Sequence, residues 1–272
     1  MTSSERLRYI EAHPRSTAGW PSDREPSGVL VLLHAFPLGA RMWEPQLALA
    51  EEGWHVVAPY LRGFNGGRLQ GAAAMTMEDY ASDVADLLQT LGVRHAVIGG
   101  LSMGGYVTLA LYRSAPELFR GLVLADTRAE AETPEGRLGR ERMIALVKTA
   151  GAAGIADDMV PRLLGATTHA TRPATEPLVR GLIQSNAPDV IAAALHAMMT
   201  RSDSTQLLPS VTAPTLVLVG EEDVITPPPL SASMATAISN AELVVLPQAG
   251  HLASLEQPQL FNAAVARFLH RL

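Results

Sequence analysis

Continuous apolar runs alternate along most of the chain with segments of helical period. Val29-Leu30-Val31-Leu32-Leu33 is unbroken and rich in β-branched residues, the pattern of a central parallel strand buried on both faces. His55–Ala58, Ala96–Ile98, Leu122–Ala125, Thr215–Val219 and Glu242–Leu246 read the same way. Leu7–Ala12 alternates enough for an edge strand, and Pro14–Gly28 is dense in turn formers. Helical patterns occupy the intervals. Trp43–Glu52 reads as a helix that stops at Gly53. Thr76–Leu91 is the best marked: Thr76 can cap it, and Glu78 and Asp79 sit in its first turn. Met77, Tyr80, Val84, Leu87, Leu88 and Leu91 recur there at helical spacing until Gly92. Ala/Leu-rich sequence after Ser102, then Leu230–Ile238 and Pro258–Leu272, complete the set.

Strands alternating with helices imply right-handed βαβ units and a parallel sheet. The alternation stops between Thr127 and Ser204. Pro134–Thr149, Gly154–Leu164, Glu176–Ser185 and Ala187–Arg201 follow one another as helices with no strand between them. The expected organisation is therefore an α/β core made of residues 1–126 and 206–272, with a helical lid, 127–205, inserted before the last two sheet strands. At 272 residues the chain can bury a large core in one such domain.

In a doubly wound sheet the site lies where strands end at their carboxyl edge. After Ala96–Ile98 comes Gly100-Leu101-Ser102-Met103-Gly104, a G-x-S-x-G sequence between strand and helix. A strand that turns directly into a helix bends sharply, and its apex residue is driven toward positive φ. Glycines on either side remove the clashes and leave the Ser102 hydroxyl exposed at the strand's end. By itself the pentapeptide also fits a glycine-rich turn with a capping serine. The next strands supply the rest. Thr215–Val219 is followed by Gly220-Glu221-Glu222-Asp223, and Glu242–Leu246 by Pro247-Gln248-Ala249-Gly250-His251. Serine needs a base to become a nucleophile. His251 can take its proton, and an acid must orient the imidazole. Asp223 is the favoured acid. Asp126, directly after Leu122–Ala125, competes with it, as do Glu221 and Glu222. A tetrahedral oxyanion would need backbone donors, and the Met103 N–H and the Phe36 N–H in the loop after Leu33 are placed for it.

Composition narrows the partners. A formal charge of −6 argues against a nucleic-acid surface. The absence of cysteine removes disulfides, thiolate catalysis and Cys-ligated metals. Met1–Arg6 is polar and lacks an apolar signal region, and no apolar run has the length of a membrane span, so a cytoplasmic protein away from membranes is expected. His169 and His196 lack ligand-type neighbours at metal spacing, so neither a metal nor a cofactor is expected. The lid offers Leu146, Met159, Leu163, Leu164, Leu182, Ile183, Leu195, Met198 and Met199 as pocket or core residues, with few charges. Arg128 is the one basic residue expected near the pocket.

These motifs together resemble the α/β-hydrolase superfamily over nearly the full chain. His34-Ala35-Phe36-Pro37 is similar to its oxyanion loop, Pro59-Tyr60-Leu61-Arg62-Gly63-Phe64 to the loop after the next strand, and Gly100–Gly105 to its nucleophile turn. Gly220–Asp223 and Gly250-His251 resemble its acid and histidine loops. The glycine-rich turn and Leu124-Ala125-Asp126-Thr127 look most like the branch of 3-oxoadipate enol-lactonases, small carboxylesterases and cofactor-free haloperoxidase-like enzymes. The resemblance implies an α/β-hydrolase fold and hydrolysis of a small carboxylic ester through an acyl-enzyme. Alternatives on the same triad are lactone hydrolysis, C–C hydrolysis or perhydrolysis; the alternative of another class is a non-catalytic ligand-binding protein. Ala35, Tyr60 and Asn65 depart from the family's usual Gly, Asp and Gly. Tryptophan occurs only at 20, 43 and 54, so the lid lacks the tryptophan that dedicated lactonases of this kind use.

Overall fold

The computed structural model describes residues 7–14, 26–67, 69 and 75–272. The polar start and most of the turn-rich stretch before Gly28 lie outside them. Among the described residues seven strands form one sheet: β1 (Tyr9–Ala12), β2 (Val29–Leu33), β3 (His55–Pro59), β4 (Ala96–Leu101), β5 (Phe119–Ala125), β6 (Thr215–Gly220) and β7 (Ala241–Leu246). Their order is β1-β3-β2-β4-β5-β6-β7, with β1 antiparallel on the edge and every other pair parallel. All residues of β4 and β6 are buried, as continuous apolar strands between two helical layers must be. Each Val or Leu so buried contributes roughly 1.5–3 kcal/mol relative to exposure.

Between the strands run α1 (Met77–Thr90), α2 (Met103–Ser114), α3 (Pro134–Leu163), α4 (Ala166–Thr171), α5 (Thr175–Gln184), α6 (Pro188–Met199) and α7 (Pro228–Ala237), and after the last strand come α8 (Ala253–Glu256) and α9 (Pro258–Leu269). The start of α1 is a full capping box. Thr76 Oγ1 accepts the Asp79 N–H at 3.1 Å, and the Asp79 carboxylate accepts the Thr76 N–H at 2.9 Å. Ala40–Glu52 is a 3-10 helix rather than the α-helix its apolar spacing predicts. Pro45 inside it has no N–H to give an α-type bond and its ring obstructs the preceding turn.

The chain moves from β2 outward to β3, then returns past β2 to β4. The loops after β2 and β4 therefore separate at the switch point of the sheet, where a crevice opens above the carboxyl edge. Phe36 and Ser102 come from those two loops.

Residues between β5 and β6 are helical, with no strand among them. The first helix, α3, is broken at Gly151, whose φ of 63° and ψ of −163° are non-helical. Packing of α3 against α5 and α6 buries Ile155, Val160, Leu163, Ile183 and Leu195 completely. These are core residues of the insertion and not pocket walls. Two polar clamps tie the insertion to the sheet's loops. Asn186 Nδ2 donates to the Pro37 and Leu38 carbonyls at 2.8 Å, while its Oδ1 accepts the Asn65 N–H at 2.9 Å. Buried Glu256 accepts from the Gly250, Leu252 and Gly165 N–H groups at 2.8–3.1 Å and from Thr168 Oγ1 at 2.5 Å. Removing that carboxylate would leave four buried donors unpaired, at roughly 1–3 kcal/mol each.

Candidate active site

Ser102 sits between β4 and α2 at φ 56° and ψ −113°. Such a positive φ is costly for a side-chain-bearing residue and persists only where the surroundings impose it. Here the Ser102 N–H bonds the Ala125 carbonyl at 3.0 Å, and its own carbonyl accepts Thr127 Oγ1 at 2.8 Å. A Cβ on Gly100 would lie 2.1 Å from the Gly104 carbonyl carbon, and one on Gly104 would lie 2.1 Å from the Leu33 carbonyl oxygen. The two glycines of the motif are thus required by close backbone approach around the turn.

The structure brings Ser102, His251 and Asp223 into one line. Ser102 Oγ is 2.9 Å from His251 Nε2, and His251 Nδ1 is 2.8 Å from Asp223 Oδ2. All three residues are buried. Asp223 accepts further bonds from the Ile225 and Thr226 N–H groups, at 2.8 and 3.0 Å, and from Thr226 Oγ1 at 2.7 Å. Burial pushes its carboxyl up, but the facing His251 and the Thr226 bonds outweigh burial and bring it down to about 2. An ionised carboxylate held this way accepts a hydrogen bond from Nδ1–H of the imidazole and fixes that tautomer, so Nε2 is left to accept from the serine hydroxyl.

Asp126 occupies a different corner. It is fully buried at φ 43°, and its Oδ1 accepts the Gly220 N–H at 2.8 Å. Its Oδ2 has no partner among the described residues. Burial first, and the charge of Asp223 second, push this carboxyl well above its usual range. It bonds β6 and not the histidine. Glu222 faces the insertion, accepting the Thr167 N–H at 2.9 Å, and Glu221 faces the Gln248 N–H at 3.4 Å.

Phe36 and Met103 present backbone N–H groups that no acceptor among the described residues engages. The loop after β2 that carries Phe36 is held from below by His34. Its Nε2 accepts the Leu61 N–H at 3.1 Å, which leaves Nδ1 to donate to the Ala35 carbonyl at 3.0 Å. Burial lowers the imidazole to about 4, so it stays neutral in that role. Ala35 is fully buried and gives its N–H to Met42 Sδ at 3.1 Å. Asn65 takes the positive φ, 65°, that glycine would otherwise supply.

A cavity of about 40 Å³ reaches Ser102 and His251, walled by Phe36, Tyr106, Ile225 and Thr226 from the core and by Met159 and Met198 from the insertion. It adjoins a larger cavity of about 410 Å³ across Met159, Ile225 and Arg140. Two arginines, Arg128 and Arg140, line the inner cavity. The expectation of an inserted segment with few charges facing the pocket is corrected at Arg140: its guanidinium is drawn inward by Glu132, to which its Nε donates at 3.0 Å. Sequence spacing held no sign of this, because residues eight apart on a loop–helix junction are not periodic neighbours. Among the described residues one cluster has metal-ligand spacing: Glu11, His13 and His55, whose ligand atoms lie within 4.8 Å of one another. It sits at the start of β3, away from the carboxyl edge that carries Ser102.

The chain belongs to the alpha/beta hydrolase family, whose pattern matches residues 30–264. Among relatives with solved structures, a thermophilic esterase from Thermogutta terrifontis superposes with a TM-score of 0.89 at 37% identity, covering 97% of this chain and 93% of that one. The enol-lactonase of Burkholderia xenovorans LB400 superposes at 0.85 with 26% identity, covering 97% and 96%. A putative non-heme bromoperoxidase of Mycobacterium tuberculosis is 28% identical over 249 residues, 84% of this chain and 88% of its own. The fold is thus the α/β-hydrolase fold, and hydrolases of esters and lactones are among its relatives. No helix of the described residues is long and apolar enough to cross a membrane.

Proposed function

We propose that the protein is a serine hydrolase that cleaves small carboxylic esters through an acyl-enzyme. The observation that carries this reading is the hydrogen-bonded line Ser102–His251–Asp223 beneath a covered cavity. His251 Nε2 takes the Ser102 hydroxyl proton as Oγ attacks the ester carbonyl. The carbonyl oxygen becomes an oxyanion, and the unengaged N–H groups of Phe36 and Met103 donate to it. Collapse of this intermediate breaks the bond to the alcohol oxygen, which receives the proton from His251. Water then attacks the acyl-serine by the same route in reverse and releases the acid. Asp223 stays ionised throughout and stabilises the imidazolium formed in each half. The proposed lid, 127–205, supplies Met159 and Met198 over the serine, and the small inner volume favours short acyl groups. A lactone would follow the same steps with its alcohol still tethered. The substrate is a small molecule acting in the cytoplasm, and none of these steps requires a cofactor.

The test is labelling by a fluorophosphonate, together with turnover of a panel of p-nitrophenyl esters and lactones. Ser102→Ala should abolish labelling and lower ester turnover on the order of a million-fold, the scale seen when a triad nucleophile is removed. A variant that keeps even a tenth of wild-type turnover removes Ser102 from the reaction. A wild-type protein that neither labels nor turns over would favour a binding protein.

A further inference from the structure

Glu132 is nearly fully buried and is the shared partner of three guanidinium groups. Arg128 reaches its Oε1 at 2.5 Å, and Arg140 and Arg201 reach its Oε2 at 3.0 and 3.1 Å. It is the one carboxylate that pairs with any of the three among the described residues. The three cations are not equivalent. Arg201 is buried and spends its remaining donors on the Glu130 and Met198 carbonyls, with its guanidinium 4.3 Å over the Tyr106 ring. It is a structural cation. Among the described residues Arg128 and Arg140 make no other ion pair and the buried Nε of Arg128 has no acceptor, although the Tyr106 hydroxyl and the charge of Glu130 also act on Arg128. Both arginines line the cavity at Ser102, whose wall contains no carboxylate among the described residues, while the adjoining larger cavity, which Arg140 also lines, carries Glu132 and Asp158.

A cation taken partly out of water and left short of acceptors is costly unless an anion arrives to complete it. Glu132 can orient both guanidiniums but cannot neutralise both. Resting on the reading of Ser102 as nucleophile, we propose that Arg128 and Arg140 form an anion seat beside the serine, and that the enzyme selects esters carrying a free carboxylate. Half-esters of short dicarboxylic acids are the substrate class, since the inner cavity is too small for a long chain and the positive groups stand within it. Glu132 and Arg201 are positioning residues for that seat. The seat replaces the neutral, apolar pocket that the sequence of the inserted helices implies.

The experiment compares monomethyl glutarate with the half-amide of the same ester, which is its neutral isostere, by pH-stat on the full chain. Wild-type enzyme should prefer the carboxylate ester. Arg140→Gln should lower the carboxylate-to-amide ratio of kcat/KM about 10–100-fold, chiefly through KM, the range for losing one partner of a partly desolvated charge pair. Arg128→Gln should act in the same direction, and Arg140→Lys should restore part of the ratio. Arg180→Gln, at a half-buried arginine that bridges Glu176 of α5 and Asp157 of α3 and does not line the cavity at Ser102, should leave it unchanged. A second arm needs no turnover: calorimetric binding of glutarate to the wild-type protein and to Ser102→Ala, lost in the Arg140→Gln background. Glutarate binding without ester turnover would keep the seat and discard the nucleophile reading. Equal ratios in wild type and both arginine variants, or glutarate binding indifferent to Arg140, overturns the seat.

Discussion

Two buried aspartates stand at the ends of adjacent strands, Asp126 after β5 and Asp223 after β6, and their surroundings drive them apart. Asp223 collects two backbone N–H groups, a threonine hydroxyl and an imidazole. Asp126 has one backbone N–H and an oxygen without a partner. Burial acts on both and raises both. In Asp223 it is overcome by the partners, and the carboxyl falls to about 2; in Asp126 nothing overcomes it, and the proximity of Asp223 adds to it. Burial alone therefore does not decide which carboxylate is held ionised. The partners do, and they come from the loop: Asp223-Val224-Ile225-Thr226 wraps its own N–H groups around the carboxylate, as an Asx-type turn does. The Asp126 backbone instead turns at positive φ so that its side chain caps β6.

Breaking the stronger side of this pair should have the larger effect. Asp223→Asn keeps the shape but favours the wrong imidazole tautomer, and it should cost about 10⁴ in kcat, as removal of the acid does in a serine protease. Steady-state kinetics on one short ester measures it, and a loss under tenfold would take Asp223 out of the triad. Thr226→Val removes one charge-assisted bond to the carboxylate and should cost about tenfold in kcat, with the protein still folded. Full activity in that variant would mean the backbone N–H groups suffice to hold Asp223.

Asp126→Asn should cost less than either in turnover; a larger loss than Asp223→Asn would exchange the two roles. Its signature is in stability against pH. A carboxyl raised in the folded state adds stability that is complete below its unfolded value near 3.8 and is lost as pH rises through the folded value. The Tm of Asp126→Asn relative to wild type should therefore improve as pH is raised from about 4. Asp223 has the opposite sign: its contribution is present above 3.8 and is lost as pH falls toward about 2. His34 adds a third window. Its imidazole is lowered from 6.5 to about 4, so its contribution is full above 6.5 and is lost as pH falls toward 4. Thermal melts from pH 7 to 4 should show on the order of 3 kcal/mol of that loss, flattened in His34→Gln.

Much of this molecule is local in origin and legible along the chain. Val29–Leu33 is a strand at the bounds its apolar run predicts, because a segment buried on both faces must be apolar throughout. Thr76 caps α1, Gly92 ends it, and Gly100 and Gly104 flank Ser102, because caps and tight turns are satisfied within a few residues. Chain order further narrows the acid to a few candidates. Distant groups decided the rest. Only the folded loops show that Asp223 meets His251 and that Asp126 meets Gly220, since both acids follow a sheet strand in the same way. Asn186 and Glu256, which fasten the inserted helices to the loops after β2 and β7, are single polar residues with no motif around them. Arg140 lines the cavity at Ser102 because Glu132, anchored by Arg201 from far along the chain, holds it there. Hydrophobic period and turn chemistry are written in neighbouring residues. The partner of a buried charge is chosen by whichever groups tertiary packing leaves within reach.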